Sequence, residues 1–282
     1  MSVFDQQPRF RPARVLIGWM RPQDAALTLA GRQEEDADRP EYRERVARAR
    51  TVAGGRLPSI ETRGVVAESP PSFRGYIEAF AANEATAPAL EEGFRIALVD
   101  LRRVCAAQPM VFTDTELPDE IDPEDLEALA AITLRPPAAL EVPADYNKER
   151  NTWILTPPNP NFRLLKEYQA SVGTGTIALG FSLRHFGSFL QAVRYRDRYI
   201  LRDGYHRAVA LLARGISVVP ALVKEFDSID PHFRKNMLPS EAYLGRHAPL
   251  LPDYLDDAVS AGVDLPSMRR LIMIQAQEFS LD

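Results

Sequence analysis

Asp203-Gly204-Tyr205-His206-Arg207 is the run in this 282-residue chain whose residue types and spacing suit a defined chemistry. Gly204 can adopt backbone angles closed to other residues and lets a ligand approach closely. The pattern turns helical from His206 onward. A helix that opens just after a glycine turn presents unpaired backbone N–H groups and a positive dipole end, which together suit an anion. Arg207 adds a planar fork matched to two phosphate oxygens, and His206 adds a ring donor. The expected phosphate-binding set is therefore Gly204, Tyr205, His206 and Arg207. The plainer reading of the same residues is that Asp203 caps the helix while His206 and Arg207 face solvent, since short Asp-Gly turns before helices are common.

The flanking sequence supplies the elements that would hold this turn. Gln191 to Leu201 reads as a hairpin turning near Arg196-Asp197, and Tyr199–Leu201 is an apolar run of strand formers. Ala208, Leu211 and Leu212 make a buried helical stripe. Arg214 and Gly215 end that helix. Val218–Val223 is a β-branched run expected to be a strand, with Pro220 predicting an edge position or a bulge because it removes a ladder donor.

Residues 190–223 resemble the ParB/sulfiredoxin-like superfamily, in which a hairpin leads into a Gly-x-[His/Arg]-Arg turn, a helix, a glycine and a Val-Pro strand. The matching residues are Asp203, Gly204, His206, Arg207, Gly215 and Val219-Pro220. The resemblance implies a mixed sheet with a packed helix over about residues 139–226, and a turn that holds nucleotide phosphates. ATP or CTP with magnesium is the ligand class so implied. Two departures narrow the activity. Sulfiredoxin-like proteins carry a cysteine directly before the His-Arg pair, where this chain has Tyr205, and its sole cysteine is Cys105. Partition proteins carry Glu-Arg-Arg in the turn and a helix-turn-helix domain downstream, and neither pattern is present.

Composition sets outer limits. The net charge is −5 and no long basic run occurs, so broad nucleic-acid affinity is not indicated. Arg184, Arg194, Arg196, Arg198, Arg202 and Arg207 do cluster in sequence, either as hairpin arginines facing water or as a rim that attracts a polyanion. A single cysteine excludes internal disulfides and fits a reducing compartment. With no signal-like segment and no apolar stretch long enough to span a bilayer, the expectation is a cytoplasmic protein without membrane contact.

Along the chain, residues 1–14 read as a loose arm and Val15–Ile17 as a short strand or the start of a packed segment. Helices are expected over 22–27, 41–53, 72–83 and 123–131. The clearest is expected over 89–107, where Leu90, Phe94, Ala97, Leu98, Leu101 and Cys105 share a stripe. Residues 1–135 are thus expected to be a mainly helical region without a chemical motif, able to offer a surface to a protein partner. Pro136-Pro137 marks a boundary, and 136–282 holds the ParB/sulfiredoxin-like core with a C-terminal extension; the two parts separate or pack as one body. Strands are expected at 139–142, 152–156 and within 268–279, with Phe162–Tyr168 extended and a short helix over 182–190. Val172-Gly173-Thr174-Gly175-Thr176 reads as a strand turn, because a dinucleotide fingerprint would need a third glycine. His232 and His247 have no carboxylate pattern between them, so no metal site is expected.

The fold class expected is α+β. Three functions remain open at this level. One is a nucleotide-using phosphotransferase or hydrolase, with Asp203 and His206 as catalytic candidates and Glu149 and Glu167 as distant ones. Another is a ligand- or protein-binding module without turnover. The third is a DNA-binding or nuclease protein.

Overall fold

The structure is a computed structural model that describes residues 9–57, 62–137, 144–156, 162–185, 187–228, 237–267 and 272–277. It is α+β. The chain opens with β1 (Phe10–Val15), α1 (Pro22–Leu29), α2 (Glu34–Ala37) and α3 (Pro40–Gly54). It continues through β2 (Val66–Ala67), α4 (Arg74–Ala82), α5 (Ala87–Glu91), β3 (Arg95–Asp100), β4 (Met110–Phe112), α6 (Leu126–Thr133) and β5 (Leu134–Arg135). Four strands follow: β6 (Ala144–Asn147), β7 (Thr152–Leu155), β8 (Phe162–Gly173) and β9 (Thr176–His185). Then come β10 (Ser188–Phe189), β11 (Gln191–Tyr195), β12 (Arg198–Asp203), α7 (Tyr205–Ala213) and β13 (Val218–Glu225). The last elements are α8 (Ser240–Tyr243), β14 (Ala261–Pro266) and β15 (Ile272–Gln275). The strand expected at 139–142 and the histidine His232 lie outside the described residues.

Two compact units result, and the chain passes from the first to the second, back to the first, and then to the second again. The first joins residues 1–135 to 188–267, and the second joins 136–187 to 268–282. The cut at Pro136 coincides with the Pro-Pro boundary. The N-terminal 135 residues and the turn at Gly204, however, belong to one unit with one main core rather than to two halves. Residues 1–135 are also less helical than expected, because β1 to β5 lie within them.

The first unit is built on a five-stranded sheet in the order β12-β11-β13-β3-β2. β11 and β12 form the expected hairpin, and its turn contains Arg196 at φ 56°. β13 runs parallel to β11 and antiparallel to β3. It is therefore the central strand, not an edge. Pro220 is tolerated there for a local reason. The Leu222 N–H donates to the Leu190 carbonyl, on the β11 side, so two residues earlier the missing Pro220 donor faces the region before β11 begins.

The helix expected over 89–107 is instead α5, a turn at Gly93 (φ 89°), and the strand β3. Ile96 and, on the opposite face, Ala97 and Val99 are all buried, so neither face of β3 is left to solvent. A strand buried on both faces loses its polar alternation and can mimic a helical stripe. Strand β1 likewise starts at Phe10, within the expected loose arm, and is the middle strand of a second sheet, β14-β1-β4.

In the second unit, β6, β7 and β15 make a three-stranded sheet, and β8 and β9 make a long two-stranded ribbon. The ribbon turns at Gly175 (φ 75°), within the Gly-Thr-Gly segment read as a strand turn. The short helix expected over 182–190 is absent: residues to His185 complete β9, and Ser188–Phe189 form β10.

Candidate functional site

The Asp203–Arg207 turn joins β12 to α7. Gly204 is the N-cap of α7 in the left-handed region, φ 89°. A Cβ there would stand 2.9 Å from the Leu190 Cα, so the glycine is required by the backbone angle and by close packing on the chain entering β11. The space beside Gly204 is thus filled by Leu190. The Gly204 N–H donates to Asp203 Oδ1 at 2.7 Å. The first backbone bond of α7 runs from the Ala208 N–H to the Gly204 carbonyl at 2.9 Å, so the N–H groups of Tyr205, His206 and Arg207 stand outside the helical ladder.

The three side chains after Gly204 go to different places. Tyr205 is buried; its hydroxyl donates to the Leu201 carbonyl and accepts from the Ala107 N–H at 2.9 Å. Burial pushes its pKa up. That side chain holds α7 to β12 and to the 104–107 segment. The Arg207 guanidinium is also turned inward. Nη1 donates to the carbonyls of Ile132 (2.8 Å) and Ser188 (2.7 Å), and Nη2 donates to Ser188 Oγ (2.9 Å). A cation on the last carbonyls of α6 completes that helix's C-terminus. Arg207 therefore clasps α6 to β10, and burial lowers its pKa.

His206 remains nearest to the entrance of α7. Its Nδ1 accepts from the Phe112 N–H at 2.9 Å, and its ring stacks on Phe112 at a centroid distance of 5.6 Å. An accepting Nδ1 carries no proton, so in the neutral ring the N–H is on Nε2. Burial lowers the pKa, and among charged neighbours Arg11 lowers it most. Arg11 lies 4.3 Å above the centre of the Phe112 ring and grips Asp114 through Nη2–Oδ1 (2.6 Å) and Nε–Oδ2 (2.8 Å). That contact holds the Asp114 carboxyl below its usual range.

Arg11, Phe112 and Asp114 were not visible as site residues from sequence. They reach His206 only because β1 pairs with β4, with Ala13 opposite Phe112, across nearly 100 residues of chain. The one available signal was the basic residue in the N-terminal segment, which carried no spacing relation to the turn.

The six clustered arginines do not form one rim. Arg184 lies in the second unit, while Arg198 is buried and donates to the carbonyls of Tyr243 (3.2 Å) and Gly245 (2.7 Å). Arg194 pairs with Glu225 at 2.7 Å, and Arg196 lies over Tyr195. Cys105 is buried and its pKa is pushed up to about 12, so it is an inert thiol. His247 Nδ1 contacts the backbone carbonyl of Arg56 at 2.6 Å. Glu149 and Glu167 belong to the second unit. Among the described residues no group of three His, Cys, Asp or Glu side chains is placed to hold a metal ion, and no helix is long and apolar enough to cross a membrane.

A cleft of about 540 Å³ lies on other elements, lined by α1, α2 and α3, with Ala26, Val46 and Ala47 beside Arg43 and Arg50. None of its lining residues comes from the His206 turn. Comparison with models of known families, with curated proteins and with solved structures finds no match to this chain.

Proposed function

We propose that this chain binds a phosphate-bearing ligand of nucleotide type at the entrance of α7. The observation that carries the reading is the group of three N–H donors, from Tyr205, His206 and Arg207, lying outside the helical ladder at a positive helix end with a neutral His206 ring and Arg11 nearby. The ParB/sulfiredoxin-like resemblance of residues 190–223 adds to it. In this arrangement the backbone donors and the His206 Nε2–H hold phosphate oxygens. The side chains of Tyr205 and Arg207 shape the turn from behind instead of touching the ligand.

Asp203 places a carboxylate at the same helix end, so a bare anion would meet repulsion there. A magnesium-bound nucleotide avoids this, since magnesium is commonly held by one or two carboxylates together with the phosphates. ATP and CTP with magnesium are accordingly the ligands of choice. Turnover would need a base, and Asp203 is the carboxylate at the turn.

The test is calorimetric titration of ATP, CTP and GTP, each with magnesium, into the wild type and into His206→Asn. Asparagine keeps an acceptor for the Phe112 N–H and removes the Nε2 donor, so binding should weaken by roughly ten- to a hundredfold for a lost bond to a charged group. Absence of heat with all three nucleotides sinks the proposal. A second reading, a binding module without nucleotide, is favoured by the apolar-floored cleft between α1 and α3, and would leave that titration silent.

A further inference from the structure

The cleft of about 540 Å³ in the first unit has the volume of a site for a small organic ligand. Its long wall is one face of α3. Arg43, Val46, Ala47 and Arg50 stand there at i, i+3, i+4 and i+7, so an apolar centre lies between two guanidinium ends. The Cα atoms of the two arginines are roughly 10 Å apart along the helix axis. Ala26 of α1 lines the same cleft, and the small side chains of Ala26 and Ala47 leave room in it.

The two ends carry different charge. Arg43 is paired with the carboxylate of Asp38, just past α2, so that end is close to neutral. At the other end the Arg50 Nη1 donates to the Met20 carbonyl at 2.7 Å, which holds the guanidinium in place. Among the described residues Arg50 has no carboxylate partner, and its Nε and Nη2 have no acceptor. Those two atoms are the parallel pair of donors that matches the two oxygens of a carboxylate.

We propose that this cleft binds a monocarboxylate with an apolar body about 10 Å long, the size of a medium-chain fatty acid. The carboxylate takes Nε and Nη2 of Arg50, and the chain runs over Val46 and Ala47 toward Arg43. One uncompensated guanidinium balances one negative charge. A second anionic group at the far end would meet Asp38, which disfavours dianions and nucleotides. The site is separate from the α7 entrance, none of whose residues lines it.

The test titrates octanoate into the full chain carrying isotope-labelled alanine and valine methyl groups, followed by NMR. The methyls of Ala26, Val46 and Ala47 should shift together, with a dissociation constant of roughly 0.1–1 mM for a ligand of about ten heavy atoms. Octanol, which keeps the body and loses the charge, should bind roughly tenfold more weakly. Acetate, which keeps the charge alone, should leave Val46 unmoved. Arg50→Gln should weaken octanoate roughly tenfold and leave octanol unchanged. Ala47→Glu, at an exposed helix position, should abolish octanoate binding by pairing with Arg50 and repelling the carboxylate, with circular dichroism unchanged. Octanol binding as tightly as octanoate overturns the proposal, as does an Arg50→Gln variant that binds octanoate like the wild type. Cleft methyls that do not move in the wild type also overturn it, and leave the cleft to a macromolecular partner. Shifts confined to Ala170 and Ala178 overturn it too, since they mean adsorption on the exposed apolar ribbon β8–β9.

Discussion

The His206 Nδ1 accepts a hydrogen bond from the Phe112 backbone N–H at 2.9 Å. The bond fixes the protonation state of the ring, because a protonated Nδ1 could not accept it. It also joins α7 to β4, so the state of one imidazole is tied to the pairing of β4 with β1.

A pH dependence follows from this bond. The folded ring has a lowered pKa, whereas an unfolded histidine takes a proton near pH 6.5. Below that value the unfolded state binds more protons, so stability falls as pH drops through about 6.5 and levels off once the folded ring also titrates. Urea midpoints measured between pH 7.5 and 5 should show this decline in the wild type. In His206→Asn, which keeps an acceptor and does not titrate, the decline should be smaller. An equal decline in both proteins would refute the assignment.

Arg207 should behave as a structural residue. Arg207→Lys keeps the charge but cannot serve the carbonyls of Ile132 and Ser188 together with Ser188 Oγ. The expected loss is about 2–3 kcal/mol in denaturant unfolding, from hydrogen bonds to a charged group and carbonyls left bare. A variant as stable as the wild type, but impaired in nucleotide binding, would return Arg207 to the ligand.

Gly204 separates two causes of one constraint. Gly204→Ala should lose about 1–3 kcal/mol, since it meets both a strained φ and the Leu190 backbone. Gly204→Asn relieves the first cause, because asparagine tolerates left-handed angles, but leaves the second. Thermal unfolding should therefore show both variants destabilised. An Asn variant matching the wild type would mean that the approach to Leu190 relaxes readily.

Tyr205→Phe removes a hydroxyl that has two partners in the core. The buried Ala107 N–H and the Leu201 carbonyl lose it together, at about 1–3 kcal/mol. The urea midpoint should drop with no change in slope, because the surface exposed on unfolding is unaltered. No drop would mean that the two groups find other partners.

The hairpin, the αL glycine, α7 and β13 were legible because each is written locally: a turn at Arg196-Asp197, a glycine needing positive φ, and a stripe at 208, 211 and 212. What the sequence hid was set by distant chain. β3 looked helical because the strands it pairs with, β13 and β2, lie more than 100 residues later and about 30 earlier. Pro220 pointed to an edge because nothing local says where β11 begins. The turn residues were read as one set facing a ligand, yet the acceptors of Arg207 lie on α6 and β10, and those of Tyr205 on Leu201. Residue type announced a donor in each case. It could not announce the acceptor.

The clasp made by Arg207 also has a bearing on how the chain is assembled. Arg135 and Ser188 are partners in the antiparallel β5–β10 pair, so the points where the chain leaves the first unit and returns to it are neighbours. Antiparallel neighbours can be joined by a two-residue turn. Residues 136–187 thus form an excursion rather than a link, and the path of the first unit closes without them. Such a gate is where an insertion can be gained or exchanged with little disturbance to the first unit, and the arginine beside it contributes its backbone N–H to the candidate ligand site.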